Sequence, residues 1–277
     1  MIKRRLILCL LLNKGIFMNS RNFDLNPVGN IETIEQYLDF NSIDELVILN
    51  VERGEKNMDE FCAGVADVAT RCFVPIAAGG GVKSIDDFHK LLNSGADKVI
   101  INTAAYENPE LVTEAARVFG SQCVVASVDV KKNKKGSYEV WICNGSKNTG
   151  MDAFEWLKQL ENLGAGEIFL TSIDEDGKCQ GYDLALVKKA SETVNIPIIV
   201  SGGVGEFEHL VDGIKEGHAS AVSAANIFHF IGFSLTKAKV FLRTSGLNFP
   251  HTLWNFNKEF KDCTINVFEN REKHKEE

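Results

Sequence analysis

The segment Val74-Pro75-Ile76-Ala77-Ala78-Gly79-Gly80-Gly81-Val82 returns 122 residues later as Ile196-Pro197-Ile198-Ile199-Val200-Ser201-Gly202-Gly203-Val204. The register holds well outside the glycines. Gly95 meets Gly217, Asn102-Thr103 meets Ala224-Ala225, and Asp44-Glu45-Leu46-Val47 meets Gly166-Glu167-Ile168-Phe169. A chain repeated in this way folds as two similar halves. Whatever chemistry one glycine-rich strand end supports, the molecule offers twice.

Between the repeated glycines, short apolar runs alternate with helical patterns, the signature of βα units around a parallel sheet. Eight runs read as strands: Leu6 to Leu12, Glu45 to Asn50, Val74 to Ala78, Lys98 to Asn102, Cys123 to Asp129, Glu167 to Thr171, Ile196 to Ser201 and Ala219 to Ala224. Their near-continuous apolarity suits strands covered on both faces. Helix starts are legible between them. Ser84 with Asp87 reads as a capping pair, Pro109 follows Asn108 at a first helical position, and Asp183 precedes Leu184 to Ala190. Eight units in two halves predict an α/β fold, a (β/α)8 TIM barrel built from two similar half-barrels, with active groups at the C-terminal strand ends.

Residues 1–247 are expected to form that single barrel, with 248–277 a C-terminal extension of unknown function ending in a charged tail. Lys131 to Gly136 followed by the alternating Ser137 to Ile142 predicts a small hairpin inserted after the fifth strand. Lys3-Arg4-Arg5 before Leu6 to Leu12 superficially resembles a signal peptide, but the apolar run is short and falls where the repeat demands a strand. Seven cysteines without C-x-x-C spacing read as buried thiols of a cytoplasmic protein. The net charge of −8 argues against nucleic-acid or anionic-membrane partners. Any anion is then held locally, by backbone amides and a few lysines.

Gly80, Gly81, Ser201, Gly202 and Gly203 close two strands that lie roughly opposite each other in a barrel, which predicts a ligand carrying phosphate at two ends. Asn102-Thr103 and Ala225-Asn226 end the neighbouring strands. Asp129 closes the fifth strand, where a carboxylate can serve as general acid or base. Its counterpart in the first half is Leu11. Arg5, Glu45, Lys98 and Glu167 start their strands at the opposite end. Such charges ordinarily form a solvated layer of ion pairs, and the alternative is a ring around the barrel axis. No histidine pair has metal-ligand spacing, and His209 and His229 read as structural. Asp174-Glu175-Asp176-Gly177 is acidic but has too few ligands for calcium, so neither metal nor cofactor is expected.

From about Arg5 to Leu247 the chain resembles the HisF-type cyclase subunit of imidazole glycerol phosphate synthase. The residues that carry the resemblance include Asp44-Glu45-Leu46, Gly79 to Val82, Gly95-Ala96-Asp97-Lys98-Val99, Ile101 to Ala105, Phe119 to Cys123, Gly164 to Ile168, Thr171 to Asp174 and Ile227 to Phe230. The resemblance implies a lyase that takes ammonia from a separate HisH-type glutaminase subunit through the barrel. It implies reaction with a phosphate-bearing formimino nucleotide, giving imidazole glycerol phosphate and an aminoimidazole carboxamide ribotide. By the same resemblance Gly81, Asn102 and Thr103 form one phosphate site, and Asp176, Gly177, Gly203, Ala225 and Asn226 the other. Arg5, Glu45, Lys98 and Glu167 correspond to the family's charged ammonia gate.

Three positions depart from the pattern. Leu11 replaces the first catalytic aspartate, Asn19 the lysine of the following loop, and Asn50 the usual aspartate of the second strand. An intact gate with a broken acid/base pair is similar to the variant HisF-type proteins of surface-polysaccharide clusters, which serve a sugar amidotransferase making acetamidino sugars. An ordinary histidine-pathway cyclase and a noncatalytic activator of a glutaminase are the competing readings.

Overall fold

The computed structural model describes residues 3–35, 42–229 and 235–250. Twelve strands fall within them: β1 (Arg5–Asn13), β2 (Ile16–Arg21), β3 (Asp24–Gly29), β4 (Glu45–Asn50), β5 (Ile76–Gly79), β6 (Lys98–Ile101), β7 (Val124–Lys132), β8 (Tyr138–Ile142), β9 (Lys147–Asp152), β10 (Glu167–Ser172), β11 (Ile198–Ser201) and β12 (Ala221–Ala224). Eight pair in parallel in the order β1-β4-β5-β6-β7-β10-β11-β12, and β12 returns to β1. The barrel is closed, as the eight apolar runs predict.

Helices cover the outside: α1 (Ile31–Glu35), α2 (Met58–Ala69), α3 (Ile85–Asn93), α4 (Thr103–Glu107), α5 (Glu110–Phe119), α6 (Ala153–Leu163), α7 (Leu184–Thr193), α8 (Phe207–Lys215) and α9 (Leu235–Thr244). Ser84 caps α3 in a reciprocal box with Asp87, and the Asp183 carboxylate accepts from the Leu186 amide at 3.0 Å to start α7. Each cap satisfies amides that the first helical turn leaves without partners. Pro109 immediately precedes α5.

Alternation along the strands sorts the side chains into two cores. In β1, Leu6, Leu8, Leu10 and Leu12 point outward into the layer shared with the helices. Ile7 and Cys9 point inward, where they join Val47, Ala77, Ile100, Val125, Phe169, Ile199 and Ala221. Buried on both faces, such strands have no polar alternation to display, which is why they read as continuous apolar runs.

Both halves share a further feature. Each opens with a nine-residue strand, β1 or β7, whose end carries an antiparallel hairpin. The β8–β9 hairpin continues β7, as the sequence predicts, with Asp129 opposite Trp141. The β2–β3 hairpin continues β1, with Leu11 opposite Met18, and the sequence reading did not anticipate it. Leu6 to Leu12 lie within β1 of the barrel wall. Residues 251–277, including most of the expected extension and its charged tail, lie outside the described residues.

The thiols divide differently from expectation. Cys9 and Cys72 are buried, but Cys143 and Cys179 are exposed. Both exposed cysteines sit in loops at positive φ, 55° and 60°. No helix among the described residues is long and apolar enough to cross a membrane.

Candidate functional site

At the N-terminal end of the barrel the four charged strand starts close into one ring. The Arg5 guanidinium reaches Glu45 Oε2 at 2.5 Å and Glu167 Oε1 at 3.0 Å. Lys98 Nζ reaches Glu45 Oε1 at 2.9 Å and Glu167 Oε2 at 3.0 Å. Cations and carboxylates therefore alternate around the axis, and each side chain has two partners of opposite sign. Glu45 is buried at 2 % exposure and Arg5 retains 22 %. This is a ring across the axis rather than a solvated layer. Burial pulls down the Arg5 pKa, but Glu45 and Glu167 outweigh it and leave the pKa above its ordinary value.

Above the ring the interior is lined by the inner core, among it Ile7, Val47, Ala77, Ile100, Val125 and Phe169. Alternation along β12 points Ser223 inward, between Ala221 and Ala225 of the inner core. Its hydroxyl is fully buried and has no hydrogen-bond partner among the described residues. An unpaired buried hydroxyl costs about 1–3 kcal/mol, so its presence in this interior is not explained by packing.

At the opposite end, Asp129 points into the mouth from β7, 8 % exposed. Burial pushes its carboxyl up to about 7, against the hydrogen bond from Asn102; nearby Asp176 adds to the rise and Lys56 opposes it. Asn102 Nδ2 donates to Asp129 Oδ2 at 2.8 Å. The Asn102 amide group is thus committed to the carboxylate, and a phosphate at this strand end would draw on other donors. Thr103 starts α4, and its hydroxyl accepts from the Cys143 amide at 3.0 Å.

The strand pairings align the two halves. Leu11 lies opposite Leu49 of β4, and Asp129 lies opposite Thr171 of β10. Since Leu49 and Thr171 are repeat equivalents, Leu11 occupies the Asp129 position of the first half. One side of the mouth offers a titratable group, and the other an aliphatic one.

The two glycine ends are equivalent in backbone. Gly80 and Gly81 have φ of 102° and 97°, and Gly202 and Gly203 have 92° and 109°. Only glycine adopts this region without strain, so the turns are specified by sequence. Beyond them, one residue at the same repeat position takes two amides in each half. Asp87 Oδ2 accepts from Lys83 and Ser84 at 2.8 and 3.0 Å, while His209 Nδ1 accepts from Gly205 and Glu206 at 3.2 and 3.3 Å. His209 is structural, as expected. The side chain of His229 lies outside the described residues.

Asp176 and Asn226 hold the β2–β3 hairpin over the mouth. Asp176 Oδ2 accepts from the Ser20 hydroxyl at 2.5 Å and from the Phe23 amide at 3.0 Å. Asn226 Nδ2 donates to the Ser20 carbonyl at 2.6 Å. A Cβ on Gly177 would stand 2.3 Å from the Ser20 carbonyl oxygen, so the hairpin backbone rests directly on that glycine. The loop that carries Gly177 also stands against the second glycine end, where a Cβ on Gly203 would lie 2.0 Å from the Gly181 carbonyl oxygen and 3.2 Å from Glu175 Cβ. Burial raises the Asp176 pKa despite these hydrogen bonds. Among the described residues no cluster of histidine, cysteine and carboxylate groups could hold a metal.

Lys56 belongs to the same mouth and was not singled out from sequence. It follows β4 in a loop, and only folding brings it against Gly81. A family model described as Histidine biosynthesis protein matches residues 5–234, which takes in all eight barrel strands.

Proposed function

The chain belongs to the histidine biosynthesis protein family, a group of isomerase and cyclase barrels, and we propose that it is an ammonia-accepting, HisF-type subunit working with a glutaminase partner. The observation that carries this reading is the closed ring of Arg5, Glu45, Lys98 and Glu167 across the N-terminal mouth. A bare structural role is poorly served by four charges on the axis, since taking ions out of water is expensive and apolar residues pack there at lower cost. A ring that parts and recloses around a small neutral molecule uses the same charges productively. The Ser223 hydroxyl supports the path above it, because with the inward-facing Ser127 it offers polar stopping points among the apolar side chains of the barrel interior.

At the far end the ammonia meets an acceptor held by phosphate at Gly80, Gly81 and Thr103 on one side and Gly202, Gly203 and Ala225 on the other. Asp129 supplies the titratable group there. With its carboxyl near neutrality it exists in both forms at physiological pH, as either general acid or general base. Leu11 supplies nothing. Two-handed proton transfer across the acceptor, one carboxylate on each side, is therefore missing, and this favours a barrel diverged toward delivering ammonia for amidation of a sugar. The raised carboxyl of Asp129 favours a second reading, a cyclase of histidine biosynthesis working with one acid/base group.

Substitution of the ring separates ammonia conduction from a passive scaffold. With a HisH-type glutaminase as partner, Lys98→Ala is expected to abolish glutamine-dependent amination of the acceptor while free ammonium salts still support it. Unchanged glutamine-dependent amination in Lys98→Ala and Glu167→Ala would leave only a scaffold.

A further inference from the structure

We propose that the Lys56 ammonium is the cation that binds the ligand's phosphate at the Gly80–Gly81 end. The inference rests on the phosphate reading of that end and adds a residue to it. A Cβ placed on Gly81 would come 2.7 Å from Lys56 Cδ and 3.3 Å from its Cβ, so the lysine stem lies along the bare glycine. Lys56 Nζ donates to the Asn50 carbonyl at 2.7 Å, and that oxygen stands 2.3 Å from where a Cβ on Gly80 would be. The charged end of Lys56 therefore sits over the turn formed by the two glycines.

Its charge is not spent. An ammonium has three donors, and the structure gives one of them a neutral carbonyl. Glu52, the carboxylate with the largest electrostatic effect on Lys56, is itself paired with Lys14 at 3.2 Å. The glycine end also needs a cation more than most helix starts do. Asp87 has already taken the Lys83 and Ser84 amides, and it puts a negative charge at the start of α3. A phosphate dianion arriving there finds fewer free amides and a carboxylate nearby, and Lys56 offsets both.

The charged and titratable groups that face Lys56 are Glu52, Lys83, Asp129 and Cys143. Burial lowers its pKa to about 8, and Lys83 adds to the fall. Its charge is then lost between pH 7.5 and 9, a range in which an arginine at the same place stays charged.

The test is a calorimetric titration of the full chain with inorganic phosphate. The wild type, Gly81→Val, Lys56→Met and Lys56→Arg are compared at pH 7.5 and 9. The component of the isotherm that Gly81→Val removes belongs to this end. Lys56→Met, which keeps an apolar stem against Gly81, is expected to weaken that component by about tenfold or more, and Lys56→Arg to restore most of it. Affinity in the wild type should fall on going to pH 9, while in Lys56→Arg it should hold. If Lys56→Met binds like the wild type while Gly81→Val does not, Lys56 is only a loop tie and the proposal fails, with the phosphate reading intact. If neither the wild type nor any variant binds phosphate, that reading fails, and the proposal with it.

Discussion

Asp129 and Leu11 stand at the same height on the first strand of each half, and the chemistry open to the mouth follows from that difference. Removal of a positioned acid or base commonly costs about 10² to 10⁴ in rate, so Asp129→Asn should lose activity on this scale. Stability should move the other way. The Asp129 carboxyl is raised from 3.8 to about 7, so below about pH 4 it is protonated in folded and unfolded chains alike and costs nothing. As the pH climbs toward 7 the unfolded chain ionises freely while the folded chain keeps its proton. Stability is lost across that window and stays low above it. Asp129→Asn should therefore be more stable than the wild type at pH 8, by something on the order of a few kcal/mol, with the gap closing toward pH 4.5. Denaturant midpoints at the two pH values would show it, and a gap independent of pH would contradict it. Leu11, Asp129 and the four ring residues were legible as individual positions because each sits at or beside the end of a plain apolar run. Lys56 was not, since nothing in a loop sequence says which glycine its stem will lie against.

The elements differ in how far the sequence revealed them. The eight barrel strands were plain because burial on both faces leaves a solid apolar run. The β8–β9 hairpin was plain because Tyr138 to Ile142 alternates. The β2–β3 hairpin escaped notice because β3, Asp24–Gly29, is mostly polar and its pairing depends on a turn through Asn22 and Phe23 at positive φ. The repeat held the missing signal, since a hairpin after β7 implies one after β1. Asp176 and Asn226 commit their side chains to this hairpin, so a phosphate at that end is left to backbone amides. If these bonds latch it, Asp176→Ala should raise amide hydrogen exchange through residues 16–29 and leave β4, β5 and β11 protected as before. Exchange unchanged in the hairpin would mean that its own ladder and its contact with Gly177 hold it.

At the scale of the molecule, duplication gives a symmetric frame on which asymmetric chemistry is placed. The base keeps its ring, to which both halves contribute Glu45 and Glu167 as equivalents. The glycine turns are equivalent too, yet Asp87 caps one helix where His209 caps the other. The mouth is the least symmetric layer, with a carboxylate on one side, a leucine on the other, and a roof latched to the second half. On the proposed reading a barrel so arranged passes ammonia upward and holds a phosphate-bearing acceptor, with a carboxylate on only one side of it. The most direct measurement is steady-state turnover of the formimino nucleotide by the isolated wild-type chain at saturating ammonium. Enzymes commonly turn over at about 10 per second, and one lost acid/base group brings that to about 0.1 per second or less, which is the result expected here. Turnover at about 10 per second would contradict the account and make the chain an ordinary cyclase despite Leu11.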